Sequence, residues 1–443
     1  MRILFISNTG EALSIATRLK KEGHAVTVYI HNPAFRANHD GLIAKLTMRQ
    51  VRSQAENSDL VIFDMNKPAE GKHDRALQKT FGVSGDGLFG PIADALRDGG
   101  IKVVGCSAET ERIELDRRRG SGVAKRAGLS MPKSFAFSSL AQGVSFLRGN
   151  AGTCWAFKPS DNQDLDLTYV EQYPEELIHK LTVQYPKRLK TGSEFILQEV
   201  IDGVEISTEA WWTGKTWTCF NHTIEDKQLM AGGYGPRVGS MNNTVWLKRK
   251  KRGLLVDMFG KLTPFIKKSG YIGPVDVNCI VSRKDKKPYF LEWTPRLGYD
   301  AIYCLLSLVR GPLGNFFDYV SGGSKKPRFA AGYASSVRLT IPPYPYEVPK
   351  LLDGMARDVE VSGDLDDLWM EDVYYQDGIR CAGADGVIGV LTGTWSTLGG
   401  SVKNVYKKAE KIKIGAYTQT RTDLGERAKA AIATLDRWGV TVD

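Results

Sequence analysis

The sequence predicts an α/β fold with an N-terminal doubly wound parallel-sheet domain and a small C-terminal α+β domain. Strand and helix patterns alternate through residues 1–115, as they do in parallel sheets that are covered by helices. From Arg328 onward, short strands and turns dominate the pattern. The 443 residues are enough for about two to four domains, each with a buried apolar core.

Composition restricts the function classes. Hydrophobic residues make up 42% of the chain, a value typical of globular proteins, and no apolar run reaches the length of a membrane-spanning helix. The N-terminal MRILFISNTG has the pattern of a strand and a turn, so we expect a cytoplasmic protein with no membrane partner. The net charge of +10 favours anionic partners, either nucleotides or nucleic acid. The six cysteines lack C-x-x-C spacing, which predicts packed, reduced thiols.

The first strand, turn and helix form a candidate anion site. RILFIS is an apolar strand, NTGE is a turn, and ALSIATRLKKEG is an amphipathic helix that ends at Gly23. Backbone N–H groups at the start of such a helix favour an anion, so Gly10 is a candidate substrate contact. A plain structural turn explains the same pattern equally well, because a single glycine does not make a dinucleotide-binding fingerprint.

The middle of the chain contains two features that suit a nucleotide. The strand CWAFKPS ends near Lys158 and is followed by the polar turn SDNQDLD, where a nucleotide could lie. Further on, ILQEVIDGVEIS consists of an apolar strand, a sharp turn at Asp202 and Gly203, and a second strand that carries Glu205. Backbone groups at such a hinge could bind an adenine. The Gly-rich polar segment from His222 to Asn243 predicts a long loop.

A predicted β-hairpin places two carboxylates together. Its strands are GPVDVNCIV and PYFLEW, separated by a Lys-rich turn. Asp276 and Glu292 then lie on one side, and Thr294 and Arg296 continue the alternation toward that side. Two carboxylates beside an arginine suit a Mg²⁺ ion and a polyphosphate. Two exposed acids at the edge of a sheet are an equally acceptable interpretation.

Four stretches of this chain match one family. FLEWTPRLGYDA is similar to a strand ending in Glu-Phe-Asn-x-Arg-Phe-Gly-Asp-Pro-Glu, and ILQEVIDGVEIS is similar to a Glu-Glu-Phe-Leu-x-Gly-Glu-Glu-Ala-Ser hinge. EDKQ followed by GYGPRVGSM is similar to an Asp-His-Lys-Arg loop with Gly-Pro-Asn-Thr-Gly-Gly-Met. The longest match is the tail GVIGVLTGTWSTLGGSVKNVYKKAEKIKIGAYTQTRTDLGERA. The chain thus resembles the ATP-grasp superfamily and, within it, the phosphoribosylamine glycine ligases, also called glycinamide ribonucleotide synthetases.

The resemblance implies an ATP-grasp fold and an activity. Its domains would be an N-terminal pre-ATP-grasp domain at residues 1–115, a small subdomain at 116–190, a central subdomain with the metal site at 191–325, and a C-terminal α+β domain at 326–443. The activity would be that of an ADP-forming carboxylate-amine ligase of the kind used in purine biosynthesis, with ATP and Mg²⁺ or Mn²⁺ as cofactors. It would join an amino acid such as glycine to an amine-bearing, phosphorylated substrate through an acyl phosphate.

The resemblance also implies residue roles. Lys158 would contact the ATP phosphates and act in catalysis with Arg296, and Glu205 would lie near the ribose. The adenine would be held by Gln198, Glu199 and Val200. The metal would be held by Asp276, Glu292 and Thr294. The substrates would be bound by Gly10, Asp226, Lys227, Arg237, Arg296, Arg421 and Asp423.

Departures from the family pattern leave three hypotheses open. Ser121 stands where the family has its first ATP-contacting lysine, SDNQDLD replaces a Gly-rich flap, and Thr294 replaces an asparagine. The substrate stretches have also changed, to RVGS and GYDA, which favours a ligase with altered amine specificity. The alternatives are the ordinary purine-pathway ligase and a nucleotide-binding module without catalysis. A sharper form of the first hypothesis places the acceptor amine on a nucleotide or nucleic acid.

Overall fold

The computed structural model describes residues 1–159, 167–189, 192–248, 253–297, 299–346, 355–415, 417–440 and 442. The polar turn SDNQDLD, which the sequence places beside the nucleotide, lies outside the described residues.

The described chain alternates strands and helices near its N-terminus and is rich in strands thereafter. The strands are β1 (Arg2–Ser7), β2 (Ala25–Ile30), β3 (Ala44–Lys45), β4 (Leu60–Phe63), β5 (Val103–Val104), β6 (Ser134–Phe137), β7 (Trp155–Pro159), β8 (Tyr169–Val170), β9 (Phe195–Glu199), β10 (Gly203–Trp212), β11 (Trp217–Gln228), β12 (Arg237–Leu247), β13 (Gly273–Ser282), β14 (Pro288–Thr294), β15 (Val309–Arg310), β16 (Arg328–Phe329), β17 (Tyr333–Thr340), β18 (Glu360–Gly363), β19 (Leu368–Met370), β20 (Val373–Tyr375), β21 (Ile379–Cys381), β22 (Val387–Trp395) and β23 (Ile412–Ile414). The α-helices are α1 (Leu13–Lys21), α2 (Met48–Glu56), α3 (Gly71–Phe81), α4 (Phe89–Asp98), α5 (Ala108–Leu115), α6 (Arg117–Arg126), α7 (Leu140–Gly149), α8 (Glu176–His179), α9 (Asp257–Lys268), α10 (Ala301–Ser307), α11 (Leu313–Val320), α12 (Leu398–Ala409) and α13 (Glu426–Arg437).

The N-terminal sheet is parallel, as the alternating pattern predicts. Its order is β3-β2-β1-β4-β5, with β1 at the centre and the chain crossing over to either side. Every residue of β4 is buried, and β1 is buried after its first residue, as expected for strands covered on both faces. The predicted α/β fold with a doubly wound N-terminal domain is therefore confirmed.

A small antiparallel sheet carries three of the predicted nucleotide-binding residues, Lys158, Gln198 and Glu199. Its order is β6-β9-β7-β8, and its rings Phe157 and Phe195 pack with centroids 4.9 Å apart. Lys158 follows Phe157 on β7, and Gln198 lies on β9. Because neighbouring side chains in a strand point to opposite faces, the buried rings direct Lys158 away from the core.

The central element is an eight-stranded antiparallel sheet in the order β14-β13-β10-β11-β12-β17-β22-β19. It contains the predicted hairpin of β13 and β14 at one edge. At the other edge it continues through β17 and β22, which belong to the C-terminal part of the chain. The sheet therefore extends across residue 325, and the predicted domain boundaries remain predictions.

The prediction of a long loop from His222 to Asn243 is wrong. The segment forms most of a β-hairpin, β11 and β12, in which Ile224 pairs with Thr244. Several of its polar residues are buried and bonded across the sheet, since Thr208 Oγ1 and His222 Nδ1 lie 2.9 Å apart and Asn243 Nδ2 donates to Ser336 Oγ at 3.3 Å. Buried polar side chains on paired strands gave the segment the composition of a surface loop.

A close contact joins the basic helix α6 to the hairpin. The Trp293 indole N–H donates to the Gly120 carbonyl at 3.0 Å. A Cβ atom at position 120 would lie 3.2 Å from Trp293 Cδ1 and 2.4 Å from the Ile113 carbonyl oxygen of α5, so glycine permits the close approach of α6 to both. The start of α6 is capped by the Asp116 carboxylate, which accepts the backbone N–H groups of Arg118 and Arg119.

Other sequence expectations concern thiols and membranes. All six cysteines are free, and five of them are buried, as the scattered spacing predicts. Within the described ranges, no helix combines the length and the apolar character needed to cross a bilayer.

A core tryptophan provides a test of the packing between the central sheet and α11. Trp211 is fully buried and meets Phe316 edge-on at 4.8 Å. We expect Trp211→Ala to destabilise the fold by about 3–5 kcal/mol, because it removes a large buried ring and leaves a cavity. The matched control is Trp395→Ala, at a side chain that is 56% exposed. Equal shifts of the urea-unfolding midpoint in the two variants would contradict this packing.

Candidate active site

Two adjoining cavities meet at the end of β14. Glu292, Thr294 and Arg296 line both of them. Trp293 is absent from the lining of the second cavity, so the alternating positions face that cavity together, as the sequence predicts. The first cavity has a volume of about 720 Å³ and the second about 310 Å³. Volumes of this size suit small ligands.

The first cavity has a basic lining. It lies between α6, the small sheet and β14. Besides Arg296, the basic residues of its lining are Arg117, Arg118, Lys125, Lys133 and Lys158. The acidic residues of this lining are Glu114 and Glu292, so positive charge is in excess. Such a lining suits a polyphosphate.

Lys158 and Gln198 lie together in the first cavity. Lys158 Nζ donates to Gln198 Oε1 at 2.6 Å, and Gln198 Nε2 donates to Ser134 Oγ at 3.2 Å. Burial, assisted by the nearby Arg117 guanidinium, lowers the pKa of Lys158 to about 8. An anion in the cavity would favour the charged form of this lysine.

The predicted adenine hinge is held within the small sheet. The backbone N–H of Glu199 donates to the Lys133 carbonyl at 2.8 Å, and that of Val200 donates to the Cys154 carbonyl at 3.0 Å. Glu199 and Val200 are not part of the described lining of either cavity, whereas Gln198 lines the first one. The role of these residues in binding adenine remains a prediction.

The second cavity contains oxygen atoms that suit a divalent cation. On β13, Asp276 lies opposite Thr294, and Asn278 lies opposite Glu292. Asp276 Oδ2 accepts from Ser207 Oγ at 3.1 Å, but the Oδ1 atoms of both Asp276 and Asn278 are buried with no hydrogen-bond partner among the described residues. Buried oxygens without partners are costly, and a hard cation would satisfy them.

Asn278 was missed by the sequence analysis. Its position two residues after Asp276 places both side chains on one face of β13, and that spacing was the available signal. The resulting set of two carboxylates, one amide oxygen and one hydroxyl fits Mg²⁺, which keeps several of its waters. Across the described ranges, no three or more His, Cys, Asp or Glu residues are grouped as metal ligands.

Electrostatics favour a cation at the same place. Burial, together with the neighbouring Glu209 and Glu225, raises the pKa of Asp276 well above its usual value. The pKa of Glu292 is lowered, since Lys227 and Lys158 outweigh the effect of burial on it.

Lys227 lies at the centre of three carboxylates. Its Nζ is 3.0 Å from Glu205 Oε1, 3.7 Å from Glu225 Oε2 and 4.0 Å from Glu292 Oε1. Glu205 also accepts from Asn278 Nδ2 at 3.2 Å. Burial opposes the ionisation of Glu205, but the charges of Lys227 and Arg427 outweigh it and lower the pKa of Glu205 to about 2.

Arg296 is held at the junction of the cavities by two acids. Its Nε donates to Glu114 Oε1 at 2.7 Å, and its Nη1 lies 3.7 Å from Glu11 Oε2. Burial opposes the charge of Arg296, but these carboxylates raise its pKa above the usual value. The guanidinium therefore stays charged where the two cavities meet.

The far end of the second cavity is acidic. Asp300 pairs with Arg338 through the Nε–Oδ2 contact of 2.8 Å, and Arg338 Nη1 donates to the Tyr344 hydroxyl at 3.1 Å. Burial raises the pKa values of Glu11 and Asp385 to about 7. Seven carboxylate residues line this cavity, namely Glu11, Glu225, Asp276, Glu292, Asp300, Glu371 and Asp385.

The predicted contact at Gly10 lies just outside both described linings. Gly10 has a φ of +93°, and its N–H donates to Ser7 Oγ at 2.7 Å. At the start of α1, the Ala12 N–H donates to Asp64 Oδ2 at 3.2 Å, so a carboxylate of the chain lies where the sequence suggested an anion. The next residue after Gly10, Glu11, does line the second cavity.

Four predicted substrate residues lie away from both cavities. Arg237 is exposed, and the other three form a cluster in which Asp226 of β11 and Arg421 are buried and Asp423 is half-buried. In that cluster, Arg421 Nη2 is 2.6 Å from Asp423 Oδ2 and 3.7 Å from Asp226 Oδ1. None of the four is among the described lining residues of the two cavities, and their substrate roles remain predictions.

The same cluster anchors the turn between β11 and β12. Arg421 Nη1 donates to the carbonyls of Gln228 and Met230, at 2.8 and 2.6 Å, and Asp423 Oδ2 accepts the Gly232 N–H at 2.8 Å. Through these hydrogen bonds, the cluster stabilises the turn.

This anchoring gives a test by proteolysis. We expect Arg421→Met to speed tryptic cleavage after Arg237, because the turn loses its hydrogen bonds and opens locally more often. Cleavage is followed by mass spectrometry, and Lys403→Met on the exposed face of α12 is the control. Unchanged cleavage after Arg237 in the Arg421 variant would show that the turn does not depend on this cluster.

Comparisons with known proteins show similarity in sequence and in fold. No protein-family model matches the chain. A phosphoribosylamine–glycine ligase of Methanosarcina barkeri is 26% identical over 260 residues, which are 55% of this chain and 53% of that protein. The chain thus spans about half the length of the curated relatives it matches.

Solved structures show the same fold over most of the chain. The phosphoribosylamine–glycine ligase of Thermotoga maritima has a TM-score of 0.67 at 18% identity, covering 95% of this chain and all of that one. The biotin carboxylase domain of a Hydrogenobacter thermophilus 2-oxoglutarate carboxylase, solved with MgADP and bicarbonate, has a TM-score of 0.62 at 13% identity. It covers 100% of this chain and 96% of that one.

Proposed function

We propose that this chain, which has the ATP-grasp fold and is similar in sequence to phosphoribosylamine–glycine ligases, is an ATP-dependent carboxylate-amine ligase. The observation that carries the proposal is the junction at the end of β14. There, a basic cavity meets a set of oxygen ligands, and Arg296 stands between the basic cavity and an acidic second cavity. A polyphosphate, its metal ion and a second substrate can lie next to one another in this arrangement.

ATP would occupy the first cavity. Lys158 and Arg117 would bind its phosphates, and Gln198 would orient the Lys158 ammonium through their hydrogen bond. Asp276, Asn278, Glu292 and Thr294 would hold Mg²⁺, which neutralises phosphoryl charge when it is bound.

The reaction would take place at the junction. The substrate carboxylate attacks the γ-phosphorus, the bond to the β–γ bridging oxygen breaks, and ADP leaves with that electron pair. The amine gives up a proton to a carboxylate of the second cavity, and its free electron pair then attacks the acyl carbon. The nitrogen loses a second proton as the C–O bond breaks, and inorganic phosphate leaves with the electrons of that bond as the amide forms. Arg296, held in place by Glu114 and Glu11, would stabilise the negative charge on the acyl phosphate and on the departing phosphate.

The charge of the second cavity supports an altered amine. Its cations Lys227, Arg296 and Arg338 are each paired with carboxylates, and its remaining charged lining is acidic. Burial raises the pKa values of several of these carboxyl groups, and a bound cation would favour their ionised forms. The lining therefore suits a protonated amine better than the phosphorylated amine that the resemblance implies. The ligase with altered amine specificity is therefore the best-supported hypothesis, and glycine with phosphoribosylamine is the alternative pair to be assayed.

A nucleic-acid-borne acceptor has weaker support. Arg237, which motivated it, is exposed and stands apart from the described cavity linings, and the second cavity has a volume of only about 310 Å³. Salt-sensitive retention of DNA in a filter-binding assay would support the nucleic-acid-borne acceptor.

Turnover assays test the ligase directly. We expect ADP release with Mg²⁺ and ATP to require one amino acid and one amine from a panel that includes glycine and phosphoribosylamine. Glu292→Gln should lower that release by roughly 100-fold, because it removes a ligand charge from the junction. Glu410→Gln, at an exposed residue that follows α12, is the control. Full turnover in the Glu292 variant would exclude the proposed centre.

The pKa of Lys158 provides a second test. Its pKa of about 8 means that the free protein loses this charge as pH rises through that value. Affinity for ADP should therefore fall from about pH 7.5 to 9.5, and binding near pH 8 should take up protons, since the bound phosphates favour the charged lysine. Calorimetry in two buffers of different ionisation enthalpy measures both effects. Lys158→Arg, which stays charged, should give a flatter profile, and a flat wild-type profile without proton uptake would refute the role of Lys158.

A further inference from the structure

We propose that Glu11 is the catalytic base that takes a proton from the substrate amine before the amine attacks the acyl phosphate. The inference rests on the proposed function and deepens it, because that reaction needs a carboxylate of the second cavity to accept this proton. The sequence motifs and the resemblance give Glu11 no role.

Glu11 lies where the amine and the acyl phosphate would meet. Its Oε2 is 3.7 Å from Nη1 of Arg296, the cation that would stabilise the acyl phosphate, and the residue lines the second cavity. The side chain is 39% exposed, so a small molecule in the cavity can reach its oxygens. A general base has to lie within hydrogen-bond reach of the attacking nitrogen, and an amine bound beside Arg296 would be within that reach of Glu11.

Other carboxylates near this junction are already engaged. Glu114 accepts from Arg296 Nε through Oε1 at 2.7 Å and from Asn66 Nδ2 through Oε2 at 2.5 Å. Both carboxylate oxygens of Asp300 accept from a single guanidinium. The Glu11 carboxylate accepts no hydrogen bond from the part of the chain that the structure describes, and its ion pair with Arg296 is a longer contact. Its lone pairs can therefore accept from an ammonium group.

Two acids at the far end of the second cavity are the alternative candidates. Glu371 and Asp385 reach the cavity from the connections between C-terminal strands. Within the described ranges, neither forms an ion pair with Arg296, whereas Glu11 does. Their position suits the binding of the amine's charge, and the position of Glu11 suits proton removal beside the acyl carbon.

The turn before α1 holds Glu11 in place. The Tyr303 hydroxyl of α10 donates to the Glu11 carbonyl, and the N–H of the next residue, Ala12, donates to Asp64 Oδ2 at 3.2 Å. Tyr303 is 1% exposed and Asp64 is fully buried, so both contacts are part of the core. A fixed backbone limits the positions that the carboxylate can take, which favours a base aimed at one bound nitrogen.

The surroundings of Glu11 suit proton transfer near neutral pH. Burial, opposed in part by the Arg296 guanidinium, raises the pKa of Glu11 to about 7. A carboxyl group with this pKa is ionised above about pH 7, where it can take a proton, and is protonated below it. The charged and titratable groups that face Glu11 are Arg296, Arg338, Asp64, Asp300, Tyr303, Glu371 and Asp385.

Each proton has a destination in this step. The Glu11 carboxylate takes one proton from the ammonium group, and the electron pair left on nitrogen attacks the acyl carbon. The second proton of the nitrogen goes to the departing phosphate, and Glu11 returns its proton to solvent after the amide leaves. While Glu11 is neutral, Arg296 has lost one of its carboxylate partners, so its charge acts more strongly on the departing phosphate.

Two acceptors separate proton removal from the rest of the reaction. The assays use the acid and the amine that the turnover panel identifies, and hydroxylamine replaces the amine in a parallel set. Hydroxylamine is mostly unprotonated at neutral pH, so it needs no base, and its hydroxamate product forms a coloured ferric complex. We expect Glu11→Gln to lower kcat/KM for the amine roughly 100-fold at neutral pH but to lower hydroxamate formation only a few-fold.

The pH profiles are an independent readout. In the wild type, kcat/KM for the amine should fall below about pH 7, where Glu11 is protonated. In Glu11→Gln, kcat/KM should instead rise with pH toward the pKa of the amine, because only the unprotonated amine then reacts. Glu11→Asp keeps a carboxylate and should keep the fall at low pH. Glu371→Gln is the matched control in the same cavity and should also keep that fall, even where it raises KM for the amine.

Each result has a defined meaning. Equal turnover of the amine by the wild type and Glu11→Gln, or loss of the low-pH fall in Glu371→Gln, would overturn the assignment of the base and leave the ligase proposal intact. Equal losses of amide and hydroxamate in Glu11→Gln, with the fold intact by circular dichroism, would also overturn it, since Glu11 would then act only through Arg296. A wild type that yields neither ADP nor hydroxamate with any acid of the panel would overturn both proposals.

Discussion

The pairing register between β13 and β14 is the constraint on which the candidate site depends. It sets Asp276 opposite Thr294 and Asn278 opposite Glu292, so four oxygen-bearing side chains share one face of the hairpin. Strand β10 pairs with the other side of β13 and adds Glu205 to the same centre. Backbone hydrogen bonds of a sheet therefore hold the polar groups in place, which gives them the preorganisation that catalysis requires.

Opposite charges on the two sides of Arg296 divide the site. The first cavity draws its positive charge largely from α6 and the small sheet, whereas the second draws its negative charge from the central hairpin, the turn before α1 and the C-terminal strands. Arg296 is itself held by acids from α5 and from the turn before α1. The separation of a basic cavity from an acidic one depends on residues from segments far apart in the chain, so no single sequence motif predicts it.

The sequence could predict elements whose signals are local. The parallel sheet follows from apolar strands alternating with amphipathic helices, and the hairpin with Asp276 and Glu292 follows from two apolar runs around a Lys-rich turn. Sequence reasoning missed Glu371 and Asp385 because they reach the cavity from the connections between C-terminal strands, far along the chain. The loop predicted between His222 and Asn243 was wrong for another reason, since both side chains are buried and each makes a hydrogen bond to a neighbouring strand.

An irregularity in β14 has a consequence for sequence change. Asn278 pairs with Glu292, but the next residue, Cys279, pairs with Phe290, which leaves Leu291 as an extra residue. This bulge lets Phe290 and Trp293 both face the core although they are three residues apart, while Glu292 faces the cavity. Loss of Leu291 would shift the pairing by one position, so side chains of β14 that now face the core would face the cavity and the reverse. Insertions and deletions here are therefore under a stricter constraint than substitutions, and an alignment of relatives that places a gap within this strand would misassign every residue of the centre that follows it.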